Sequence, residues 1–347
     1  MRPTSVIFLI ISILLACFGG ILCLRAYSIA EENGEVLFAS VKNEDGQFVT
    51  TRYFGLSEDE TPDTSNKKND TKKLELSLSN VDVIIKGGQT TNKIELYNFT
   101  SGMYAYTTSV GGAATLEDLT GLMQMFSFTS GINFKGFRNL LFYSEYSKLE
   151  RQVIIYLKDD SIVTHISCTL ENGDITVENV NLACDYVLST KNGDVSVDNL
   201  GAGSSVAVSV GTGDVSVDSS ALYELNVKNN NGSVDVTSTS VAKTLLINAV
   251  KGNVYYEHMS DRFDGFDVLF TATKGTFKID GIEYASGQYE FDGAPDKPAA
   301  PEGSGTDEET GSVAGPDYVP NSLTITVGEG DLTVVKAALV VPEAPVE

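Results

Sequence analysis

Residues 172–177 read NGDITV, and the same pattern returns five more times before residue 280. The later copies are NGDVSV (192–197), TGDVSV (212–217), NGSVDV (231–236), KGNVYY (251–256) and KGTFKI (274–279). Their glycines are spaced by 20, 20, 19, 20 and 23 residues. A period near 20 residues is typical of chains that stack similar units, so it predicts a repeat architecture.

Each repeat contains two segments in which apolar and polar residues alternate, as in a strand with one buried face. Apolar residues lie two and four positions after the glycine, and five and seven positions before it. The column five positions before the glycine contains Cys168, Leu188, Val208, Val227, Ile247 and Phe270. We therefore predict an all-β, β-solenoid or β-helix-like stack of two-strand repeats of about 20 residues. A meander of antiparallel hairpins is the alternative. The apolar columns of neighbouring repeats align when both repeats are read in the same chain direction, as in parallel strands, which favours the solenoid.

Two of the four cysteines, Cys168 and Cys184, lie in this region. Cys168 occupies an apolar column, which indicates a buried thiol. Cys184 is four residues out of step with that column. On stacked strands this offset is roughly 13 Å, whereas disulfide-linked Cα atoms lie about 4.4–6.8 Å apart. We predict no disulfide between them.

Alternating apolar residues also predict strands outside the six repeats, at 35–41, 47–54, 73–86, 93–97 and 103–108. Residues 323–334 repeat the motif once more, after a Pro-, Gly- and acid-rich stretch at 292–322. This stretch predicts a disordered insertion before a last coil. Thr115–Phe126 predicts a helix, capped by Thr115, with Leu116, Leu119, Leu122 and Met123 on one face.

Val6 to Leu24 is a run of 19 residues without a charge. At about 1.5 Å per residue it nearly spans a hydrocarbon core of about 30 Å, so it predicts an N-terminal transmembrane helix. A cleaved signal peptide is an alternative, with Ser28-Ile29-Ala30 as its small-x-small site. A lipoprotein is another, because Leu14-Leu15-Ala16-Cys17 loosely resembles a lipobox.

The chain has 47 acidic and 24 basic residues, a formal net charge of −23. This acidity argues against nucleic acid as a partner, because phosphates need a cationic surface. The two histidines, His165 and His258, lie far apart, and no Ser-His-Asp or zinc-ligand spacing occurs. We therefore expect no enzyme activity. A polysaccharide-acting enzyme is the alternative, and it would need convergent carboxylates with a basic or metal partner.

Carboxylates recur at fixed positions of the repeat, where the alternation predicts side chains that point away from the core. Two sets form this acid ladder: Asp174, Asp194 and Asp214 follow the glycines, and Glu178, Asp198 and Asp218 lie four residues later. Stacked coils would bring like carboxylates within about 5 Å, where Ca²⁺ could bridge them. Asn-Gly-Asp is also ordinary turn chemistry, and we favour that interpretation. Ca²⁺ is the only cofactor that the residues suggest.

Three stretches, KLELSLSNVDVIIKGG (73–88), RQVIIYLK (151–158) and the NGDVSV units, resemble the bacterial putative-adhesin domain family. The resemblance extends over about residues 72–336. It implies an exported or membrane-anchored β-solenoid-like domain of unknown function, without a catalytic motif. With the apolar run at 6–24 and the large acidic β-rich domain that follows it, the resemblance predicts a bacterial plasma-membrane protein, single-pass, with the bulk of the chain extracytoplasmic.

These observations predict four regions: an anchor (1–27), strands and a polar linker (28–72), the solenoid domain (73–336, with the insertion 292–322) and a tail (337–347). The expected function is that of a non-enzymatic, membrane-anchored cell-surface protein that presents its solenoid for adhesion or for binding to envelope polymers or proteins. Its expected partners are a cell-wall polymer or a surface or membrane protein. The alternative is an accessory factor in envelope-stress sensing that acts through a membrane-protein partner.

Overall fold

The computed structural model describes residues 49–54, 71–99, 104–109, 112–118, 150–259, 263, 265–284, 288–291 and 321–336, and its regular elements are β-strands. The strands before the repeats are β1 (Val49–Tyr53), β2 (Lys73–Asn80), β3 (Asp82–Gln89), β4 (Lys93–Tyr97), β5 (Tyr104–Thr108), β6 (Ala113–Asp118) and β7 (Gln152–Lys158). The next are β8 (His165–Asn172), β9 (Ile175–Glu178), β10 (Asp185–Asn192), β11 (Val195–Asp198), β12 (Ser204–Thr212) and β13 (Val215–Asp218). They continue with β14 (Ala221–Asn229), β15 (Val234–Thr237), β16 (Ser240–Lys251), β17 (Val254–His258), β18 (Phe266–Lys274) and β19 (Phe277–Ile279). The last are β20 (Ile282–Tyr284), β21 (Gln288–Phe291), β22 (Asn321–Glu329) and β23 (Leu332–Lys336).

The strands form two sheets, and each coil of the chain contributes one strand to each sheet. Sheet A has the order β1-β4-β7-β3-β9-β11-β13-β15-β17-β23-β19-β20. Sheet B has the order β21-β18-β22-β16-β14-β12-β10-β8-β2-β6-β5. Neighbouring strands from β8 to β17 are parallel in both sheets. The predicted solenoid is therefore confirmed, and the antiparallel meander is excluded.

The predicted apolar columns form the core between the two sheets. Leu188 pairs with Cys168 on one side and with Val208 on the other. The members of that column are at most 3% exposed: Cys168, Leu188, Val208, Val227, Ile247 and Phe270. Burying one such aliphatic side chain contributes about 1.5–3 kcal/mol, so the repeated columns provide most of the driving force for folding.

The coil formed by β22 and β23 lies inside the stack, although it is the last of the described strands along the chain. Leu323 pairs with Leu245 of β16 and with Val268 of β18, and both pairings are parallel. The expectation that this coil ends the stack is therefore wrong. The 23-residue spacing from Gly252 to Gly275 has a physical reason here, because the chain must climb two coil spacings, about 9.6 Å, between them.

The beginning of the stack also departs from chain order, because β7 lies between β3 and β4 and β6 lies beside β2. Leu116 of β6 pairs with Leu76 of β2. The predicted helix over Thr115–Phe126 is therefore wrong for its described part, Thr115 to Asp118. Ala114 and Leu116 are buried while Thr115 and Glu117 are not, which is the period of a strand. Leu119, Leu122 and Met123 lie outside the described residues.

Antiparallel strands and aromatic rings close one end of the stack. β21 pairs with β18, and β20 pairs with β19, both antiparallel. The ring of Tyr289 stacks on Phe270 at 6.0 Å, and that of Tyr284 lies 5.5 Å from Phe277. These tyrosines therefore cover the last apolar side chains of the core.

The described residues belong to two compact units, of which the larger comprises Thr51–Glu95, Tyr106–Glu117 and Gln152–Glu347. Within the smaller unit, Asn98 donates a hydrogen bond to the Glu150 carbonyl at 2.6 Å, and Arg151 pairs with Asp118 at 3.5 Å. No helix among the described residues is long and apolar enough to cross a membrane. The apolar run at 6–24 and the predicted strand at 35–41 lie outside those residues, whereas β1 confirms the strand predicted at 47–54.

The turn glycines stack directly on one another, which explains why glycine recurs at this position. Gly213 has a φ of 145°, and its N–H donates to the Asn231 carbonyl of the next coil. A β-carbon at Gly213 would overlap the carbonyl oxygen of Gly193. Only glycine permits coils to approach this closely at the turn.

We predict that Gly213→Ala lowers the free energy of unfolding by about 3 kcal/mol, because backbone atoms of two coils must move apart. The matched control is Gly281→Ala, where φ is also positive, at 77°, but the added carbon meets open space. That control should cost only about 1 kcal/mol. Urea unfolding followed by circular dichroism measures both values, and equal losses would contradict the stacking argument.

Candidate binding surfaces

The first carboxylate set forms a ladder of hydrogen bonds between coils. The Oδ1 atom of Asp174 accepts from the backbone N–H of Asp194 at 2.8 Å, and Asp194 accepts from Asp214 at 2.7 Å. Asp214 in turn accepts from the N–H of Ser233 at 2.7 Å. Each carboxylate therefore satisfies a backbone donor at the next turn, as favoured from the sequence for Asn-Gly-Asp.

The ladder is longer than the sequence predicted. Asp82 accepts from the N–H of Asp174 at 3.0 Å, and Asp331 accepts from the N–H of Thr276 at 2.8 Å. The hydrogen bond from the Thr276 backbone lowers the pKa of the Asp331 carboxyl below its ordinary value. Asp82 was missed because no glycine precedes it, although Asp-Val-Ile-Ile at 82–85 resembles the Asp-Val-Ser-Val of the repeats.

The second set lies at the other end of the short strands of sheet A. Asp198 is in register with Glu178 and with Asp218. Glu178 forms an ion pair with Lys86 at 2.8 Å, and Asp218 accepts a hydrogen bond from Thr237 Oγ1 at 2.9 Å. Four residues of strand, about 13 Å, separate this set from the first, so the fold aligns the members of each set but keeps the two sets apart.

Among the residues that the structure describes, no group of three or more His, Cys, Asp or Glu side chains is placed to hold a metal ion. The predicted Ca²⁺ role of Asp174, Asp194, Asp214, Glu178, Asp198 and Asp218 stays a prediction. The hydrogen bonds of the ladder nevertheless give the first set a structural role that needs no cation.

Asp235 is a further carboxylate near the first set, on β15. It is exposed and lies in register with Ser216 and Tyr255 on the outer face of sheet A. Partial burial, reinforced by the negative charge of Asp214, raises the pKa of the Asp235 carboxyl above its ordinary value. The folded chain therefore disfavours ionisation of this group.

Both cysteines of the solenoid are free and buried, which confirms the prediction of no disulfide. Burial raises the pKa of the Cys168 thiol to about 12, and burial is also the largest reason that the pKa of Cys184 is raised to about 12. Neither thiol is an activated nucleophile. His258 is buried beside aromatic rings, and its Nδ1 lies 2.9 Å from the Tyr256 hydroxyl. This pairing is typical of a satisfied core histidine.

Parallel coils, two facing sheets and stacked turns together define a two-sheet β-solenoid with regular outer surfaces. The model of the Toastrack DUF4097 family matches residues 71–340, which is more than half of the 347-residue chain. The chain belongs to this family, and the resemblance to the putative-adhesin domain family is confirmed.

The solved structures that are similar to this chain include two bacterial proteins. One is a putative cell adhesion protein from Clostridium sporogenes, with 12% identity and a TM-score of 0.34 over 84% of this chain and 100% of that one. Another is a putative adhesin from Bacteroides fragilis, with 12% identity and a TM-score of 0.35 over 83% of this chain and 97% of that one. No curated protein matches the chain.

We predict that Asp194→Ala lowers the free energy of unfolding by about 1 kcal/mol, because the N–H of Asp214 loses its acceptor. Asp194→Asn keeps an oxygen at that position and should remain close to the natural protein. Chemical unfolding of the two variants measures the difference. Equal destabilisation would mean that the negative charge matters more than the acceptor, as a bound cation would require.

Asp235 should make the stability of the folded chain depend on pH. Because its pKa is higher in the folded chain, unfolding releases a proton between the two pKa values, and its contribution to stability falls as pH rises through that range. Asp235→Asn should therefore be more stable at pH 7, by less than about 1 kcal/mol because exposed charges are screened. The gain should vanish near pH 3, below the ordinary aspartate pKa of about 3.9.

Glu75→Gln is the matched control, since it removes one exposed negative charge from sheet B. Melting temperatures between pH 3 and pH 7 compare the two variants. An equal gain in the control would show that relief of the net charge, and not the proximity of Asp214, causes the effect.

Proposed function

We propose that this protein is a non-enzymatic, membrane-anchored cell-surface protein that presents its solenoid for adhesion, by binding envelope polymers or proteins. The observation that carries the proposal is the stack of parallel coils, which repeats the same outward positions along one axis. A repeated surface suits a partner that is itself long or repetitive. The uncharged run at 6–24 supports a tether at the membrane.

The distribution of acidic groups supports a binding role over catalysis. A polysaccharide-acting enzyme needs two carboxylates that converge on one bond, with distinct environments. In the described coils the carboxylates of the ladder accept backbone hydrogen bonds at successive turns, each in a similar setting. An even row of this kind differs from the asymmetric pair that general acid–base chemistry requires.

We predict saturable co-sedimentation of the full chain with cell-wall material from its host. The purified chain is kept in a polyoxyethylene detergent because of its apolar N-terminal run. The assay is done with millimolar calcium and again with chelator, and chain centrifuged without wall material is the control. Calcium-dependent pelleting would establish a cation role for the carboxylate sets, and equal pelleting would leave the first set as turn structure.

Absence of pelleting under both conditions would contradict binding to a wall polymer. It would favour a membrane-protein partner and therefore the role in envelope-stress sensing. Cross-linking of the chain in intact cells would then be the next measurement.

A further inference from the structure

The outer face of sheet B carries a row of polar side chains that runs along the stack, and all but one of them are uncharged. Successive members are in register from β8 to β22. This hydroxyl row consists of Thr169, Ser189, Ser209, Lys228, Asn248 and Thr326. Neighbouring members are about 4.8 Å apart, so the row offers a hydrogen-bonding group at nearly every coil.

A second row runs parallel to the first, two residues earlier on each strand and therefore about 6.8 Å away. It contains the apolar residues Val187, Ala207, Leu246 and Leu269, and we call it the apolar row. Val187 is 40% exposed and Leu246 is 36% exposed. The polar residues Ser167, Asn226 and Thr324 occupy the other positions of this row from β8 to β18. The face thus combines a partly apolar stripe with a hydroxyl-rich stripe.

Charge is sparse within these two rows, although charged residues of both signs flank them on sheet B, including the ion pairs Lys191–Glu171 and Lys243–Glu224. From β8 to β22, Lys228 is the one charged residue in the hydroxyl and apolar rows. The chain as a whole has a net charge of −23, and Glu178, Asp198 and Asp218 form a row on sheet A. A basic protein partner would be attracted to sheet A, and a polyanion would be repelled by the whole chain. The face of sheet B therefore suits an uncharged partner.

An irregularity in β14 adds an aromatic ring to this face. The register of β14 with both neighbours shifts between Leu222 and Glu224. Tyr223 is the extra residue of a β-bulge relative to β12, whereas the extra residue of the pairing with β16 lies on β16, between Val241 and Thr244. Bulges re-aim side chains and occur often beside functional sites. Tyr223 is 45% exposed, and Lys243 lies 5.2 Å from its ring centroid and forms an ion pair with Glu224 at 2.8 Å. The ring thus lies beside the Lys243–Glu224 ion pair, and three residues, about 10 Å of strand, separate Tyr223 from Asn226 of the apolar row.

We infer that this face of sheet B binds an uncharged polysaccharide that lies along the solenoid axis. The inference rests on the proposed function and assigns its ligand class and its surface. Sugar rings have apolar C–H faces and hydroxyl rims. The apolar row and Tyr223 contact the C–H faces, and the hydroxyl row exchanges hydrogen bonds with the rims.

Affinity electrophoresis of the full chain tests this inference, in gels that contain hydroxyethyl cellulose, dextran or galactomannan. A gel with polygalacturonate provides an anionic polymer. The polyoxyethylene detergent has no sugar headgroup to compete. We expect at least one neutral polymer to retard the chain and polygalacturonate to leave it unretarded.

Thr169→Glu places a charge in the hydroxyl row, where its register partners Ser77 and Ser189 are neutral, and should weaken retardation at least about tenfold. Tyr223→Ala should weaken it about 2- to 10-fold. Ser216→Glu is the matched control, because Ser216 is equally exposed but lies on the outer face of sheet A. Thr326→Glu is a second variant of the hydroxyl row, and circular dichroism melting establishes that each variant is folded.

Two results would overturn the inference: no neutral polymer retards the natural chain, or Thr169→Glu and Ser216→Glu bind equally well. If the chain pellets with wall material but gives either of these results, the assigned surface and ligand class are wrong. The proposed function would still stand. Absence of both pelleting and retardation would overturn the inference and the wall-binding function together.

Discussion

The close approach of successive turns is the constraint on which the other features of the solenoid depend. At Gly193, Gly213 and Gly232, the position of a β-carbon is taken by the backbone of the preceding coil. The glycine N–H groups hydrogen-bond to the following coil at about the usual backbone distance. Glycine at this position therefore fixes the spacing and the register of the coils. Any larger residue would separate them and misalign the strands on both sides of the turn.

Register converts a repeated residue into a continuous feature. An inward position becomes a core column, such as that of Leu188, and an outward position becomes a surface row. The same rule would place like charges close together, at a cost in Coulomb energy. The aspartates after the glycines offset this cost by accepting backbone N–H bonds from the next turn. The hydroxyl row on sheet B carries no such cost, because Lys228 is its one charged member and the hydroxyl and amide groups of the others are neutral.

The order of coils in space differs from their order along the chain at both ends of the stack. The coil of β22 and β23 lies between two coils that follow each other in the sequence, β16–β17 and β18–β19. At the other end, β7 separates β3 from β4. The strands β20 and β21, which lie at one limit of each sheet, are only three and four residues long. Short antiparallel strands present few free backbone groups, which limits edge-to-edge association of the sheets.

The sequence by itself determined the solenoid, its core columns and the free state of Cys168 and Cys184, because a period near 20 residues recurs with little interruption. The sequence also showed that aspartates recur after the glycines. It did not show which backbone N–H groups donate to them, because those groups belong to other coils. The tertiary structure alone decided where β22 and β23 insert, since their apolar pattern fits beside any coil of the stack. It also decided that Thr115 to Asp118 form a strand, because so short a pattern is ambiguous until a partner strand supplies hydrogen bonds. The bulge at Tyr223 arises for the same reason: register is a property of paired strands, and pairing brings together residues that are distant in the chain.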